Sequence, residues 1–166
     1  LPRGVRAKLV EATIAAASAV GYTNVGSVEF LLDDDGTFYF IEMNTRVQAE
    51  HAVPETLTGV DLVQAGIRVA AGEPLGFDAQ DVAVRGHAIE CRVHGQGPPG
   101  TRHAVLAFHA PGGLGIRVES ALEVGDVIVG GESPLLAKVL THGPTRAVAL
   151  ARLRAALPEL VIDGVP

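Results

Sequence analysis

The sequence predicts an α+β protein, and three observations support that fold class. Apolar residues recur at helical spacing over residues 5–20, and Gly21 follows them as a helix-ending signal. The runs at 27–32 and 37–43 are rich in Val, Phe and Ile and flank an Asp-rich turn, which is typical of an antiparallel hairpin. After residue 84, short β-like runs separated by turn signals predict a mostly antiparallel second part.

The remaining signals divide the chain into two predicted domains. Residues 43–59 are polar and read as irregular, and Asp61 then caps a helix. Residues 76–84 have the composition of a connector. We therefore expect one domain over residues 1–75 and another over residues 84–166.

The second domain is predicted to combine strands with one helix. That helix starts at Thr145 and ends before Pro158, which cannot continue it. The predicted strands are at 87–94, 104–109, 115–121, 124–129, 135–141 and 160–162.

Composition excludes several classes of protein. The chain has 166 residues and is 48% apolar, which is enough for a core and excludes intrinsic disorder. Its net charge of −6 disfavours nucleic acid, and no apolar run is long enough for a membrane helix. One cysteine, Cys91, excludes a disulfide scaffold and fits a cytoplasmic location, where we expect it to be a buried, inert thiol. The chain starts at Leu1, which suggests a piece of a longer protein.

The hairpin carries the first indication of chemistry. If residues 35–36 form a two-residue turn, Glu29 lies directly opposite Glu42. Cross-strand Cβ atoms are about 4.5 to 5.5 Å apart, so the carboxylates repel unless a cation, such as a divalent metal ion, lies between them. A one-residue slip would separate them unless a bulge restored the phase. The alternative is two ordinary surface glutamates, but both interrupt strongly apolar strands.

Polar residues alternate with others immediately after the hairpin. A period of two places them on one side of an extended chain, although a solvated edge strand would alternate in the same way. Asn44 offers a neutral oxygen to a hard metal, Arg46 a fork for an oxyanion, and Glu50 a base. The alternating residues are Glu42, Asn44, Arg46, Gln48 and Glu50.

These motifs resemble a known family. Glu-Phe-Leu at 29–31 and Phe-Ile-Glu-Met-Asn-Thr-Arg-Val-Gln-Ala-Glu-His at 40–51 are similar to the active-site strands of biotin carboxylase. The resemblance implies the C-terminal half of an ATP-grasp domain followed by the biotin carboxylase C-terminal domain. It continues through residues 58–63, 85–92, 111–120 and 160–164.

The resemblance implies a ligase that works in two steps. ATP activates bicarbonate as carboxyphosphate, and the carboxyl group then passes to N1 of biotin. Glu50 is the implied base that deprotonates bicarbonate, and the implied Mg²⁺ or Mn²⁺ ligands are Glu29, Glu42 and Asn44. The implied bicarbonate-binding groups are Arg46, Gln48, Glu50 and the backbone amide of Ala49, where the family usually has Val.

Further implied roles fall elsewhere in the chain. Arg117 is implied to stabilise negative charge on biotin during transfer. Leu31 and Ile162 are implied to line the adenine site. His51 is interpreted as a supporting or core histidine.

The resemblance also implies partners and leaves alternatives open. For an acetyl-CoA, propionyl-CoA or related carboxylase, the expected partners are a biotin carrier protein or domain, a second copy in a homodimer, and a carboxyltransferase subunit. The isolated chain is expected to be catalytically silent, because the ATP-binding N-terminal half has no counterpart in it. The segment 94–104 is shorter than in the family, and Gly131 and Glu132 replace a Tyr-Asp pair. The alternatives are a non-catalytic module for dimerisation or carrier docking, and another ATP-grasp ligase.

A second motif is interpreted as a decoy. Residues 95–100 match G-x-G-x-x-G after a predicted strand. Two adjacent prolines prevent the required helix start, so we expect a loop instead of a dinucleotide site.

Overall fold

The computed structural model describes residues 1, 3–131 and 133–166, so Glu132 lies outside the described residues. The chain divides into two units. Residues 1–51 and 60–82 form the first, and residues 52–59 and 83–166 form the second. Helices and antiparallel strands occur in both, which confirms the α+β class.

Helix α1 (Arg3–Ala19) opens the first unit close to its predicted position. It ends where Gly21 adopts a φ of +61° and the amide of Tyr22 donates to the carbonyl of Ala17 at 2.9 Å. Part of its apolar face is exposed. Val10 and Ile14 are 52% and 61% exposed.

Strands β1 (Ser27–Leu32) and β2 (Phe38–Asn44) form the predicted antiparallel hairpin, but the predicted two-residue turn is wrong. The amide of Asp33 donates to the carbonyl of Thr37 at 2.8 Å, which closes a loop of three residues, 34–36. The backbone amide of Thr37 donates to Asp35 at 2.7 Å, and this bond lowers the pKa of the Asp35 carboxyl. The hydrogen bond from the Thr37 amide to the Asp35 side chain therefore stabilises the longer loop.

The stretch predicted to be irregular contains a helix. After a 3₁₀ turn (Ala49–His51), α2 runs over Ala52–Thr58, with Pro54 early enough in the helix to need no intrahelical donor. The next helix, α3 (Leu62–Ala70), is confirmed together with its cap, because the side chain of Asp61 accepts from the amide of Gln64 at 2.7 Å.

The second unit is built on a three-stranded antiparallel sheet. Its strand order is β3 (His87–His94), β8 (Leu135–Gly143) and β6 (Ile116–Glu119). The single predicted strand at 104–109 is instead two short strands in separate sheets. These are β4 (Arg102–Ala104), which pairs with β7 (Val127–Val129), and β5 (Ala107–His109), which pairs with β9 (Val161–Asp163).

Helix α4 (Arg146–Ala156) packs against this three-stranded sheet and forms the core with it. Val139, Leu153 and Ala156 are buried there, and the half-buried Cys91 packs against them. Residues 95–100 contain no helix, which confirms the expected loop. In the described part of the chain, no helix combines the length and apolar character that crossing a bilayer requires.

One glycine should be essential to the second unit. Gly164 has a φ of +86°, and an added Cβ would lie 2.1 Å from the carbonyl oxygen of Ala104. We expect Gly164→Ala to reduce the free energy of unfolding by about 2 to 4 kcal/mol, because clash and backbone strain combine. Urea denaturation followed by circular dichroism measures this loss. Gly112, where an added Cβ meets nothing within 4 Å, is the matched control, and an equal loss in Gly112→Ala would contradict the account.

Candidate active site

The predicted pairing of two carboxylates on the hairpin is confirmed. Glu29 lies opposite Glu42, whereas Phe30 lies opposite Phe40, so Ile41 is an extra residue on β2. The longer turn shifts the register by one residue, and the bulge at Ile41 shifts it back. The carboxylates therefore share one face through a register that differs from the predicted one near the turn.

Asn44 connects the two carboxylates. Its side-chain nitrogen Nδ2 donates to Oε1 of Glu29 at 2.9 Å and to Oε1 of Glu42 at 3.2 Å. Both acids are exposed and Asn44 is half-buried. The partial positive charge of the amide relieves the repulsion expected between like charges directly opposite each other.

Arg46 and Gln48 extend this cluster. Nη2 of Arg46 lies 3.4 Å from Oδ1 of Asn44, and Nε2 of Gln48 lies 3.4 Å from Oε1 of Glu29. The hydroxyl of Ser27 donates to Oε1 of Gln48, which fixes the orientation of that amide. The structure thus brings the predicted metal-binding residues together with two of the predicted bicarbonate-binding residues.

The prediction that the backbone stays extended as far as Glu50 is wrong. Strand β2 ends at Asn44, and Glu50 lies with an exposed side chain in the 3₁₀ turn that begins at Ala49. Nδ1 and the backbone amide of His51 both contact the carbonyl oxygen of Gln48, at 2.8 and 3.1 Å. These contacts give His51 a supporting role in the turn, as expected.

Arg117 lies on β6 in the second unit, within a group of ion pairs. Its Nη2 contacts Oε2 of Glu55 at 2.9 Å and also Oε1 of Glu119. Nζ of Lys138 binds the other oxygen of Glu119. Burial of the guanidinium tends to lower the pKa of Arg117, but the hydrogen bond with Glu55 and the charge of Glu119 outweigh burial and raise it.

The remaining predicted residues take separate places in the fold. Leu31 lies on β1 opposite Tyr39 and is exposed, and Ile162 lies on β9 opposite Phe108 and is half-buried. Leu31 belongs to the first unit and Ile162 to the second.

Sequence reasoning missed the acidic and basic partners of Arg117. Glu119 follows Arg117 by two residues on a strand, so the period of two was an available signal. Glu55 was missed because α2 was missed, and Lys138 because strand pairing of β6 with β8 has no local signature. Ser27 was missed as the residue that orients Gln48.

The hairpin residues fit a divalent metal ion. Oε1 of Glu29 and Oε1 of Glu42 are both within hydrogen-bonding distance of a single atom, Nδ2 of Asn44. Two carboxylates and an amide oxygen are hard ligands, which suit Mg²⁺ or Mn²⁺ and suit zinc or copper less well.

Comparisons with known proteins agree with this combination of fold and site. The family model for the carbamoyl-phosphate synthase L chain, ATP binding domain, matches residues 1–77. The model for the biotin carboxylase C-terminal domain matches residues 91–166. Together these matches agree with the C-terminal half of an ATP-grasp domain followed by a biotin carboxylase C-terminal domain.

Individual curated relatives identify the family within this class of proteins. The biotin carboxylase of Pseudomonas aeruginosa is 48% identical over 158 residues, which cover 92% of this chain and 34% of the relative. The chloroplastic biotin carboxylase of Arabidopsis thaliana is 41% identical over 167 residues, covering 98% and 31%. The chain therefore belongs to the biotin carboxylase family and spans about a third of the length of the curated relatives it matches.

Solved structures of the family share the fold. The biotin carboxylase domain dimer of Hydrogenobacter thermophilus 2-oxoglutarate carboxylase, in complex with MgADP, ADP and bicarbonate, has a TM-score of 0.91 and 39% identity. That match covers 100% of this chain and 38% of the other.

Proposed function

We propose that this chain supplies the metal-, bicarbonate- and biotin-binding residues of a biotin carboxylase, with ATP as the source of activation. The observation that carries the proposal is the pairing of Glu29 with Glu42 across the bulged hairpin, bridged by the amide of Asn44. An ordinary surface sheet has no need for two facing carboxylates on otherwise apolar strands. The proposal assigns residues 1–75 to the ATP-grasp part and residues 84–166 to the C-terminal domain.

The proposed metal site uses Glu29, Glu42 and Asn44. A rotation of the Asn44 side-chain amide by half a turn exchanges its nitrogen for its oxygen and so converts a donor to the carboxylates into a third metal ligand. A bound Mg²⁺ or Mn²⁺ ion would supply charge neutralisation for the phosphates of ATP. The Hydrogenobacter relative, solved with MgADP and bicarbonate, supports this assignment.

The proposed bicarbonate site follows the hairpin. Arg46, Gln48 and the amide of Ala49 hold the anion through charge-assisted and neutral hydrogen bonds. Glu50 accepts the bicarbonate proton, and the resulting oxyanion attacks the terminal phosphorus of ATP, which breaks its bond to ADP and forms carboxyphosphate. The side chain of Glu50 is exposed, so a bicarbonate ion can approach its carboxylate.

The proposed biotin side of the reaction depends on Arg117. Its fixed positive charge would stabilise negative charge that develops on the ureido oxygen as the carboxyl group passes to N1 and phosphate is released. Leu31 and Ile162 are proposed to contact adenine. The proposed partners are a biotin carrier protein or domain, a second copy of the enzyme, and a carboxyltransferase subunit. The relative solved as a domain dimer supports pairing with a second copy.

Titration of the chain with Mn²⁺ tests the metal site. We expect Glu29→Gln to weaken Mn²⁺ binding about tenfold or more, because it removes one of two anionic ligands. Electron paramagnetic resonance of free Mn²⁺ measures the affinity. Glu11→Gln, which removes an exposed carboxylate from α1 of the same unit, is the matched control. Equal Mn²⁺ affinity for the wild-type chain and Glu29→Gln would refute the site.

A further inference from the structure

Arg117 is held by a group of charged residues that includes two almost completely buried side chains. We call Glu55, Arg117, Glu119 and Lys138 the Arg117 network. The side chains of Glu55 and Lys138 are only 7% and 8% exposed, whereas Arg117 is 42% exposed. The partly exposed Arg117 side chain is therefore held by residues whose own side chains have little freedom to move.

The sheet register explains how the network is assembled. Arg117 and Glu119 are two residues apart on β6 and therefore lie on the same face. Glu119 pairs with Lys138 on β8, the central strand, and this register brings the ammonium group to the carboxylate. Glu55 contacts Arg117 from α2. This helix belongs to the same unit, and its residue Ala52 is fully buried there.

Stability alone is a weak reason for such a network. Buried charges lose hydration, and replacing a buried ion pair by apolar residues of similar size is often neutral or stabilising. A network that holds one functional cation in a single rotamer has a different benefit. It reduces the entropy that must be lost when a substrate binds.

The contacts on Arg117 are also asymmetric. Both ion pairs use the same nitrogen, Nη2. Within the described part of the chain, this leaves Nη1 and Nε available to a substrate oxygen. A guanidinium has donors arranged in a planar fork, so fixing one nitrogen also fixes the directions of the others.

We infer that Glu55, Glu119 and Lys138 are positioning residues for Arg117, which they hold by Nη2 so that its other nitrogens bind the oxygen on which charge develops. The inference rests on the proposed function, in which Arg117 contacts biotin. Lys138 acts on Arg117 indirectly, through its ion pair with Glu119. Glu55 acts directly on the guanidinium.

The test uses a chimera in which this chain replaces the matching segment of the Pseudomonas aeruginosa biotin carboxylase. Phosphate release dependent on free biotin gives kcat and the KM values for biotin and MgATP. We expect Glu55→Gln to lower kcat about tenfold or more while the KM for MgATP changes by less than about twofold. We expect Lys138→Met to lower kcat in the same direction, and Lys138→Arg, which keeps the charge, to restore most of it.

A double-variant comparison separates this inference from the proposed function. Arg117→Ala should lose turnover, and adding Glu55→Gln to it should cause no further loss, because the two residues act through one group. Wild-type turnover in Arg117→Ala would overturn the role of Arg117 itself. Loss in Arg117→Ala with normal kcat in Glu55→Gln, or additive losses in the double variant, would overturn the positioning role alone.

A measurement on the chain itself covers the case in which a chimera variant does not fold. Nitrogen-15 NMR of labelled arginine reports rotation of each guanidinium group. In the wild-type chain we expect Arg117 to rotate more slowly than the exposed Arg154 on α4, and Glu55→Gln to accelerate Arg117 alone. Equal rotation rates for Arg117 in both chains would overturn the inference.

Discussion

Replacing Glu50 by Gln in the chimera should lower biotin-dependent turnover about 100- to 10,000-fold, the range expected when a general base is removed. Gln has the same shape but cannot accept a proton. Because Glu50 lies in the 3₁₀ turn and outside the Glu29, Glu42 and Asn44 cluster, the KM for MgATP should stay within about threefold of the wild-type value.

Steady-state phosphate release with varied MgATP measures both quantities. Glu11→Gln is the matched control, since it removes an exposed carboxylate far along the chain from the proposed site. A Glu50→Gln chimera that keeps turnover within a few-fold of wild type would show that Glu50 is not the base. A large rise in the KM for MgATP would instead assign Glu50 to nucleotide binding.

Glu42→Gln should have a different signature. We expect turnover to fall about 100-fold and the KM for MgATP to rise about tenfold, because one anionic ligand of the proposed metal site is lost. Without metal, the variant should be at least as stable as the wild-type chain, since the change removes repulsion between facing carboxylates. The opposite directions of these effects distinguish a metal ligand from a residue that supports the fold.

Enzyme assays and thermal unfolding of the metal-free chain, performed on Glu42→Gln and on Glu11→Gln, measure these effects. If Glu42→Gln unfolds at a clearly lower temperature without metal, the glutamate supports the hairpin and the predicted role is wrong. Normal MgATP kinetics in Glu42→Gln would also contradict the metal assignment.

Local signals in the sequence were sufficient to predict the elements around the proposed metal site. Two runs rich in Val, Phe and Ile that flank an Asp-Gly turn predict the hairpin, and Asp61 predicts the start of α3. The opposition of Glu29 and Glu42 was also predicted, although from a two-residue turn that the protein does not form. Two deviations of one residue, in the turn and at Ile41, cancel, and neither has a sequence signal strong enough to place it.

Contacts between distant segments could not be predicted in the same way. The Arg117 network depends on the pairing of β6 with β8 and on α2, which Pro54 and polar neighbours disguise. The exposure of Val10 and Ile14 on α1 also depends on contacts between distant segments. Helical spacing identifies an apolar face but does not say which part of that face is covered.

Paramagnetic broadening by Mn²⁺ tests the central claim most directly. Small amounts of Mn²⁺ added to the nitrogen-15-labelled chain should broaden the backbone amide signals of Glu29, Glu42 and Asn44 most strongly. The effect should disappear in a Glu29→Gln, Glu42→Gln double variant. Strongest broadening at the acidic turn, residues 33–35, that persists in the double variant would contradict a metal site between the paired carboxylates.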